Sequence, residues 1–370
     1  MEYKLRTIIV ILLLLVAGKA DAGPYTEAGV NGYIGNDNRH ANPLSDSDAV
    51  INPVFRGWAT SFKDYLPSDS QWYGGNWNDP NKALGPATGK LDDIVSLGDL
   101  DKTKIADGCK PGRITLVFGN PHNVNDLNHI RNVKGYDFVI FENGYISGYD
   151  TSGGSVAGQM FAELGYVEVS SDGNNFVRFP SVSLTSGQVG PYGTIDISNI
   201  YNLGGKHPNS YGVCVGTPFD LSEIADDPNV ISGLVDINNI CYVRIVDIPG
   251  SGDFYDNAVR HIDANSRPNW QYYSHNHPIY DAWPTWGSGG FDLEAVGVLK
   301  EQQYSADINL DGVVDFADFS LFASAWLSYF GEENWIGRCD LAQPKDGFIN
   351  FKDFAVFASQ WRKAENWRRQ

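Results

Sequence analysis

Oxygen-bearing side chains recur at alternate positions in Asp307-Ile-Asn309-Leu-Asp311-Gly312-Val313-Val-Asp315-Phe-Ala-Asp318. That spacing suits a hard divalent cation, because calcium takes about six to eight oxygens from a tight loop. Asp307, Asn309 and Asp311 stand at loop positions 1, 3 and 5. Val313 offers its main-chain carbonyl at position 7, Asp315 stands at 9 and Asp318 closes the loop at 12, where glutamate is more usual. Gly312, at position 6, permits a turn that a Cβ would strain. The bland alternative is a solvated acidic turn. Spacing and glycine together favour Ca2+ as the cofactor.

Two aromatic stretches carry a different chemistry. One is Trp72-Tyr-Gly-Gly-Asn-Trp77; the other runs from Trp270 to Tyr280 and on to Trp283 and Trp286. In the second, Trp270, Tyr272, Tyr273, His275, Tyr280, Trp283 and Trp286 supply flat faces beside polar tips. Such a set stacks on sugar rings and bonds their hydroxyls. Rings that merely pin a long loop are the competing reading. His275 and His277 have no third ligand nearby in sequence, so a transition-metal site there has little support. A glycosidase needs two carboxylates across the scissile bond. Asp137, Glu142, Glu163 and Glu168 are available, yet the sequence pairs none of them as acid and base. There is no nucleophile elbow, zinc-protease helix or phosphate loop.

The elements that position these residues differ along the chain. The stretch from Asp311 to Trp326 recurs from Asp346 to Trp361, with nine of sixteen residues identical. Phe319, Phe322, Ala323 and Trp326 fall at helical spacing, as do Phe354, Phe357, Ala358 and Trp361. Two loop–helix units packed face to face are expected. Before them the periodicity is that of strands. Arg113–Phe118, Tyr136–Phe141, Leu164–Ser170, Phe176–Phe179, Ile240–Ile248 and Leu293–Leu299 read as strands, with shorter ones between Val50 and Phe62. Ser171-Asp172-Gly173 is a hairpin turn, and a helical turn is expected near Ser155–Leu164. The fold expectation is mainly β: a β-sandwich with long loops over residues 23–302, then a small all-α duplicated calcium module over 303–370.

Residues 1–22 read as an export signal. Lys4 and Arg6 precede the apolar run Ile8–Val16, and Ala20-Asp-Ala22 is a small-residue cleavage site. The run is too short to span a bilayer, so no membrane insertion is expected. A formal net charge of −18 argues against nucleic acid, which is bound through lysine and arginine. Cys109, Cys214, Cys241 and Cys339 are free to pair in an oxidising compartment in three ways, and a buried thiol is equally open for Cys241.

The duplicated segment, roughly Ala306 to Trp361, resembles a type I dockerin, the calcium module that docks secreted proteins onto cohesin domains. The resemblance implies calcium on Asp307, Asn309, Asp311, Asp315 and Asp318 in the first loop. In the second it implies Asp346, Phe348 through its carbonyl, Asn350 and Asp353. Asp340 precedes Asp346 by six residues where four are expected, so the second loop starts from an expanded Asp340 or lacks a first ligand. The usual Ser-Thr recognition pair is replaced by Phe316-Ala317 and Phe351-Lys352, which bears on any cohesin-like partner.

A second resemblance spans about Leu84 to Leu299. Asp137-Phe-Val-Ile-Phe-Glu142-Asn143-Gly144, Phe161–Gly173 and Gly289–Val296 look like a family of bacterial cell-surface proteins with a galactose-binding-like jelly roll. It implies a fold rather than an activity. Glu142, Glu163 and Asp292 fall at strand ends in these stretches, and with Asn143 they form a second candidate cation site. Turn capping, or pairing with Arg178 and Arg244, is the alternative. The reading that follows is a secreted or cell-surface, non-catalytic protein that binds a glycan or surface ligand and is tethered by its calcium module. The alternatives are a polysaccharide-degrading hydrolase and a purely structural surface protein.

Overall fold

The computed structural model describes residues 23–68, 77–148, 159–258, 274–330, 332, 334–343, 345–365 and 367. Residues 1–22, where an export signal is expected, and Trp72, Trp270, Tyr272 and Tyr273 lie outside these residues.

The protein is mainly β, and its sheets are antiparallel. The larger sheet runs Val30–Asn31, Val215–Phe219, Phe138–Glu142, Asp292–Leu299, Phe55–Trp58, with Val95–Ser96 paired to the start of Asp292–Leu299. The second sheet runs Val177–Arg178, Gly165–Ser170, Tyr242–Asp247, Arg113–Val117, Ser61–Leu66. Alternation decides which face is covered. In Tyr242–Asp247, Val243 and Ile245 are buried while Tyr242 and Arg244 are only partly covered. They share one core with Ile114, Leu116, Val167 and Val169 of the same sheet and with Phe138, Ile140, Phe219 and Val296 of the other. The two sheets therefore lie face to face.

Phe138–Glu142 is buried at every residue, so both its faces are covered. Phe138 and Ile140 face the other sheet, and Val139 and Phe141 pack outward with Val30, Val54, Phe55 and Leu299. Leu310 belongs to that outer cluster, and Trp367 packs against it. A Cβ on Gly312, whose φ is +90°, would run into the Trp367 ring. Glu365 Oε1 accepts from the Gln303 and Tyr304 amides at 2.8 and 3.0 Å. The C-terminal unit is thus seated on the sandwich.

That unit holds helices Phe316–Ser324 and Phe351–Gln360. Each opens with a capping box, Asp315 with Asp318 and Asn350 with Asp353. Phe322 and Phe357 stack at 5.2 Å between the helices. The expected apolar faces need correction. Ala323 and Ala358 are exposed, and the buried stripes run through Asp318, Phe322 and Ala325, and through Asp353 and Phe357. The N3 aspartates face inward because their carboxylates serve the loops. The two units also interlock. Val314 exchanges main-chain bonds with Arg362 and Lys363 beyond the second helix, and Ile349 does so with Leu327 and Ser328 beyond the first.

The expected strands appear within one or two residues of their predicted bounds, and Gly173 turns the hairpin with φ +75°. Three features differ. Val215–Phe219 is a core strand despite Gly216 and Pro218, Lys102–Ala106 is a short helix, and Met160–Phe161 is a strand where a helical turn was expected. All four cysteines are free.

Leu310→Ala is expected to cost about 2–5 kcal/mol, the usual range for emptying a filled core site. Equilibrium denaturation measures it. A loss below about 0.5 kcal/mol, typical of a surface change, would contradict the shared core.

Candidate functional site

Pairing of Phe138–Glu142 with Asp292–Leu299 places Glu142 opposite Leu293, with a register shift between Leu293 and Ala295. The chain leaves the first strand at Asn143 just where the second begins at Asp292. The Asn143 amide donates to the Asp292 carbonyl at 3.3 Å, and Asn143 Nδ2 donates to Asp292 Oδ2 at 3.1 Å. Glu142 Oε2 accepts from the Gly144 amide at 3.0 Å. Glu163 precedes the Gly165–Ser170 strand, and its Oε1 accepts from Thr285 Oγ1 at 2.6 Å and from the Gly290 amide at 2.9 Å. Sequence reasoning named these three acids, and the fold brings them together.

Their partners are nearly all neutral. Arg178 and Arg244 both bond Glu168 instead. Glu142 Oε1 and Asp292 Oδ1 are buried with no hydrogen-bond partner. Burial pushes Asp292 up to about 8. It raises Glu142 and Glu163 well above the usual carboxylate range, and the nearby Asp292 adds to both shifts. Three further buried acids were not anticipated. Asp99 accepts from the Thr285 amide at 2.9 Å, Asp247 from the Phe291 amide at 2.7 Å and Asp281 from the Leu164 amide at 2.6 Å. They are dispersed in sequence and carry no motif. Only the folded chain assembles them under the 281–291 loop.

A cavity of about 260 Å3 opens above this floor. Trp77, Tyr145, Phe161, Tyr192 and Trp286 form its aromatic wall, and Asp92, Asn143, Glu163 and Asp292 line it. Tyr192 and Trp286 lie 6.1 Å apart and are 65% and 46% exposed, so flat ring surface faces solvent. Both aromatic stretches contribute, through Trp77 and Trp286. The other described rings of these stretches do not line the cavity. Trp283 is half-buried and donates from Nε1 to the Leu100 carbonyl at 2.9 Å. Tyr280 packs on Gly252, and His275 is exposed. The His277 amide donates to Asp256 at 2.9 Å. Tyr192 and Asp92 were missed, since neither sits in an aromatic cluster or a motif.

A larger cavity, about 360 Å3, lies between the sandwich and the C-terminal unit. Charges there are largely spent within the chain: Lys206 pairs with Glu27, and Glu223 accepts from Tyr201 at 2.7 Å.

In the C-terminal loops the carboxylates are held by main-chain amides in matching patterns. Ile308 and Asn309 amides donate to Asp318 Oδ1 at 2.7 and 3.0 Å; Leu341 and Ala342 amides donate to Asp353 Oδ1 at 2.8 and 2.9 Å. Gly312 donates to Asp307 Oδ2 at 2.9 Å, and Gly347 to Asp340 Oδ2 at 3.0 Å. Asp340 is therefore the counterpart of Asp307, and the two extra residues lie between it and Asp346. Charge separates the loops. Asp307, Asp311 and Asp318 are fully buried, and burial followed by Asp318 and Asp311 raises Asp307 strongly. The nearby Arg338 Nη2 goes to the Asp307 carbonyl at 3.0 Å, not to its carboxylate. In the second loop Lys352 pairs with Asp346 at 2.8 Å, Lys345 lies in the field of Asp340 and Asp353, and Asn350 Nδ2 occupies the Phe348 carbonyl at 2.8 Å.

Hard oxygen donors on three buried aspartates suit a hard cation such as calcium in the first loop. In the second loop lysines already offset the charge. Among the described residues, no three or more histidine, cysteine, aspartate or glutamate side chains are gathered as a formed metal shell. No protein-family model matches this chain, and no curated protein does.

The raised Asp292 sets the sign of a pH effect. The unfolded chain loses this proton near pH 4 and the folded chain near pH 8, so burial of the group costs stability increasingly across that interval. Asp292→Asn is expected to flatten the decline, with a melting temperature at pH 8 at least about 2 °C above that of the parent. Thermal melts from pH 4 to 8 measure this, and parallel curves would contradict it.

Proposed function

We propose that this is a secreted or cell-surface glycan-binding protein in which a jelly-roll sandwich carries the ligand pocket and a dockerin-like calcium unit joins it to a partner. The observation that carries the reading is the cavity walled by Trp77 and Trp286, two rings brought from stretches over two hundred residues apart onto an acid-bearing floor. Exposed rings stack on the apolar faces of sugars, while Asn143, Ser288 and Thr285 on the same wall offer polar contacts to hydroxyls. The acidic balance of the chain disfavours nucleic acid. No helix among the described residues is long and apolar enough to cross a membrane.

Trp286→Ala is expected to abolish retardation in polysaccharide affinity gels while leaving the melting temperature within about 2 °C of the parent, since the ring is exposed. Retention of the parent's mobility shift by this variant, or no shift for the parent on any polysaccharide, would remove the reading.

For the calcium unit, the proposal is one ion per chain, on Asp307, Asn309, Asp311, Asp315 and Asp318 with the Val313 carbonyl. The ion would relieve the repulsion that Asp318 and Asp311 exert on Asp307, and its binding energy would stabilise the adjoining helix. Calcium titration calorimetry on the full chain tests this. One site is expected, lost in Asp307→Ala with Asp318→Ala and kept in Asp346→Ala. Two equal sites, or an unchanged count in the double variant, would contradict it. The exposed Phe316 and Phe351, each edge-on to a tryptophan at 5.0 Å, would mark the face offered to a cohesin-like partner.

One observation favours a second reading. Glu163 lines the cavity and burial raises its carboxyl well above the usual range, the direction a general acid for glycoside cleavage requires. Release of reducing sugar, lost in Glu163→Gln, would establish that reading over simple binding.

A further inference from the structure

The cavity beneath Trp286 combines aromatic faces and carboxylates with no base. Asp92, Glu163 and Asp292 line it, and no lysine, arginine or histidine among the described residues does. A pocket for neutral sugars has no need of three acids, because hydroxyl recognition is served by amides and hydroxyl groups as well. Rings beside carboxylates suit a positive ligand, since a cation is drawn both to the faces of tryptophan and tyrosine and to the acids. Asp292 supplies the second, independent observation. It is 1% exposed, it borders the cavity, and its Oδ1 has no hydrogen-bond partner. A buried carboxylate oxygen left unpaired costs stability until something donates to it. An ammonium group donates three hydrogens, and its charge would displace to solvent the proton that burial favours on Asp292, so it meets both needs.

We propose that this pocket selects amino sugars, with the ammonium seated against Asp292 and Asp92 and the sugar ring stacked on Trp286. The inference rests on the glycan reading above and narrows it to a ligand class. Rings and acids divide the work. Trp286 sets the affinity for any sugar that fits, and the acids set the preference for charge. Asp92 lies at the exposed lip, where its contribution is screened by salt, while Asp292 lies at the floor, where it is not.

Calorimetric titration of the full chain near pH 6 tests this, with three hexasaccharides of one linkage. One carries free amines (a glucosamine hexamer), one carries N-acetylated amines, and one carries only hydroxyls. The amine form is expected to bind at least about tenfold more tightly than the other two, a difference of about 1.4 kcal/mol. Asp292→Asn and Asp92→Asn should each reduce that ratio. Asp92→Asn is a surface change, so it reports even if Asp292→Asn fails to fold. Trp286→Ala should weaken all three ligands together. Equal affinity for the three, or preference for the acetylated form, overturns the inference and leaves the glycan reading standing. Binding of none overturns both. Tetramethylammonium bound as tightly as the glucosamine hexamer overturns the sugar half of the proposal.

Discussion

Carboxylates buried without basic partners are the constraint around which both halves of this protein are arranged. Removing an ionised acid from water is costly unless a charge or several donors meet it. The chain meets the cost in three different ways. In the second C-terminal loop, Lys352 pairs with Asp346 and Lys345 acts on Asp340. In the first loop, amides orient Asp307 and Asp318, and Arg338 lies in their field while its hydrogen bond goes to the Asp307 carbonyl. In the sandwich, Glu142, Glu163 and Asp292 accept a few neutral donors, and burial raises all three above the usual carboxylate range. Each unneutralised group is a place where a proton or an external cation must enter.

The floor of the pocket depends on one strand pairing. Glu142 meets Leu293 across the ladder, and Asn143 then reaches Asp292. Side chains alternate along a strand, so a slip of one residue would turn Glu142 to the opposite face. Burial on both sides of Phe138–Glu142 prevents that slip, because Phe138 and Ile140 fill one core while Val139 and Phe141 fill the other. The outer core includes Leu310 of the C-terminal unit. Sandwich packing, the pocket floor and the seating of the first C-terminal loop therefore share one strand. A tether that swings freely on a linker does not fit this arrangement.

Much of this was legible in sequence where a pattern is local. Alternating strands, the Ser171–Gly173 turn and the duplicated loop all showed as short-range signals. Three strand-end acids were named because they sit in recognisable stretches. Other features depend on distant contacts. Val215–Phe219 reads poorly as a strand because Gly216 and Pro218 lower its propensity, yet the large Phe219 ring is fully buried and secures it. Asp99, Asp247 and Asp281 carry no motif, and only tertiary amides explain them. The aromatic stretches announced rings but not their directions. Trp283 is pinned by its indole to Leu100, and Trp286, three residues later, faces the cavity. Counting from Asp340 to Asp346 left the second loop's start open; the Gly347 bond to Asp340 places it.

The interlock of the two C-terminal repeats gives their unequal charge a consequence. Val314 bonds the chain leaving the second helix, and Ile349 bonds the chain leaving the first. Phe322 and Phe357 stack between them. Neither half can bury its ring or complete its bridge without the other. The second loop carries lysines beside its acids, while the first packs three buried aspartates close to one another. An ion at the first loop, as proposed, would relieve the repulsion that Asp318 and Asp311 exert on Asp307. Duplication thus keeps the symmetric packing while the more strongly repelling carboxylates stand in the copy that leans on the sandwich through Leu310.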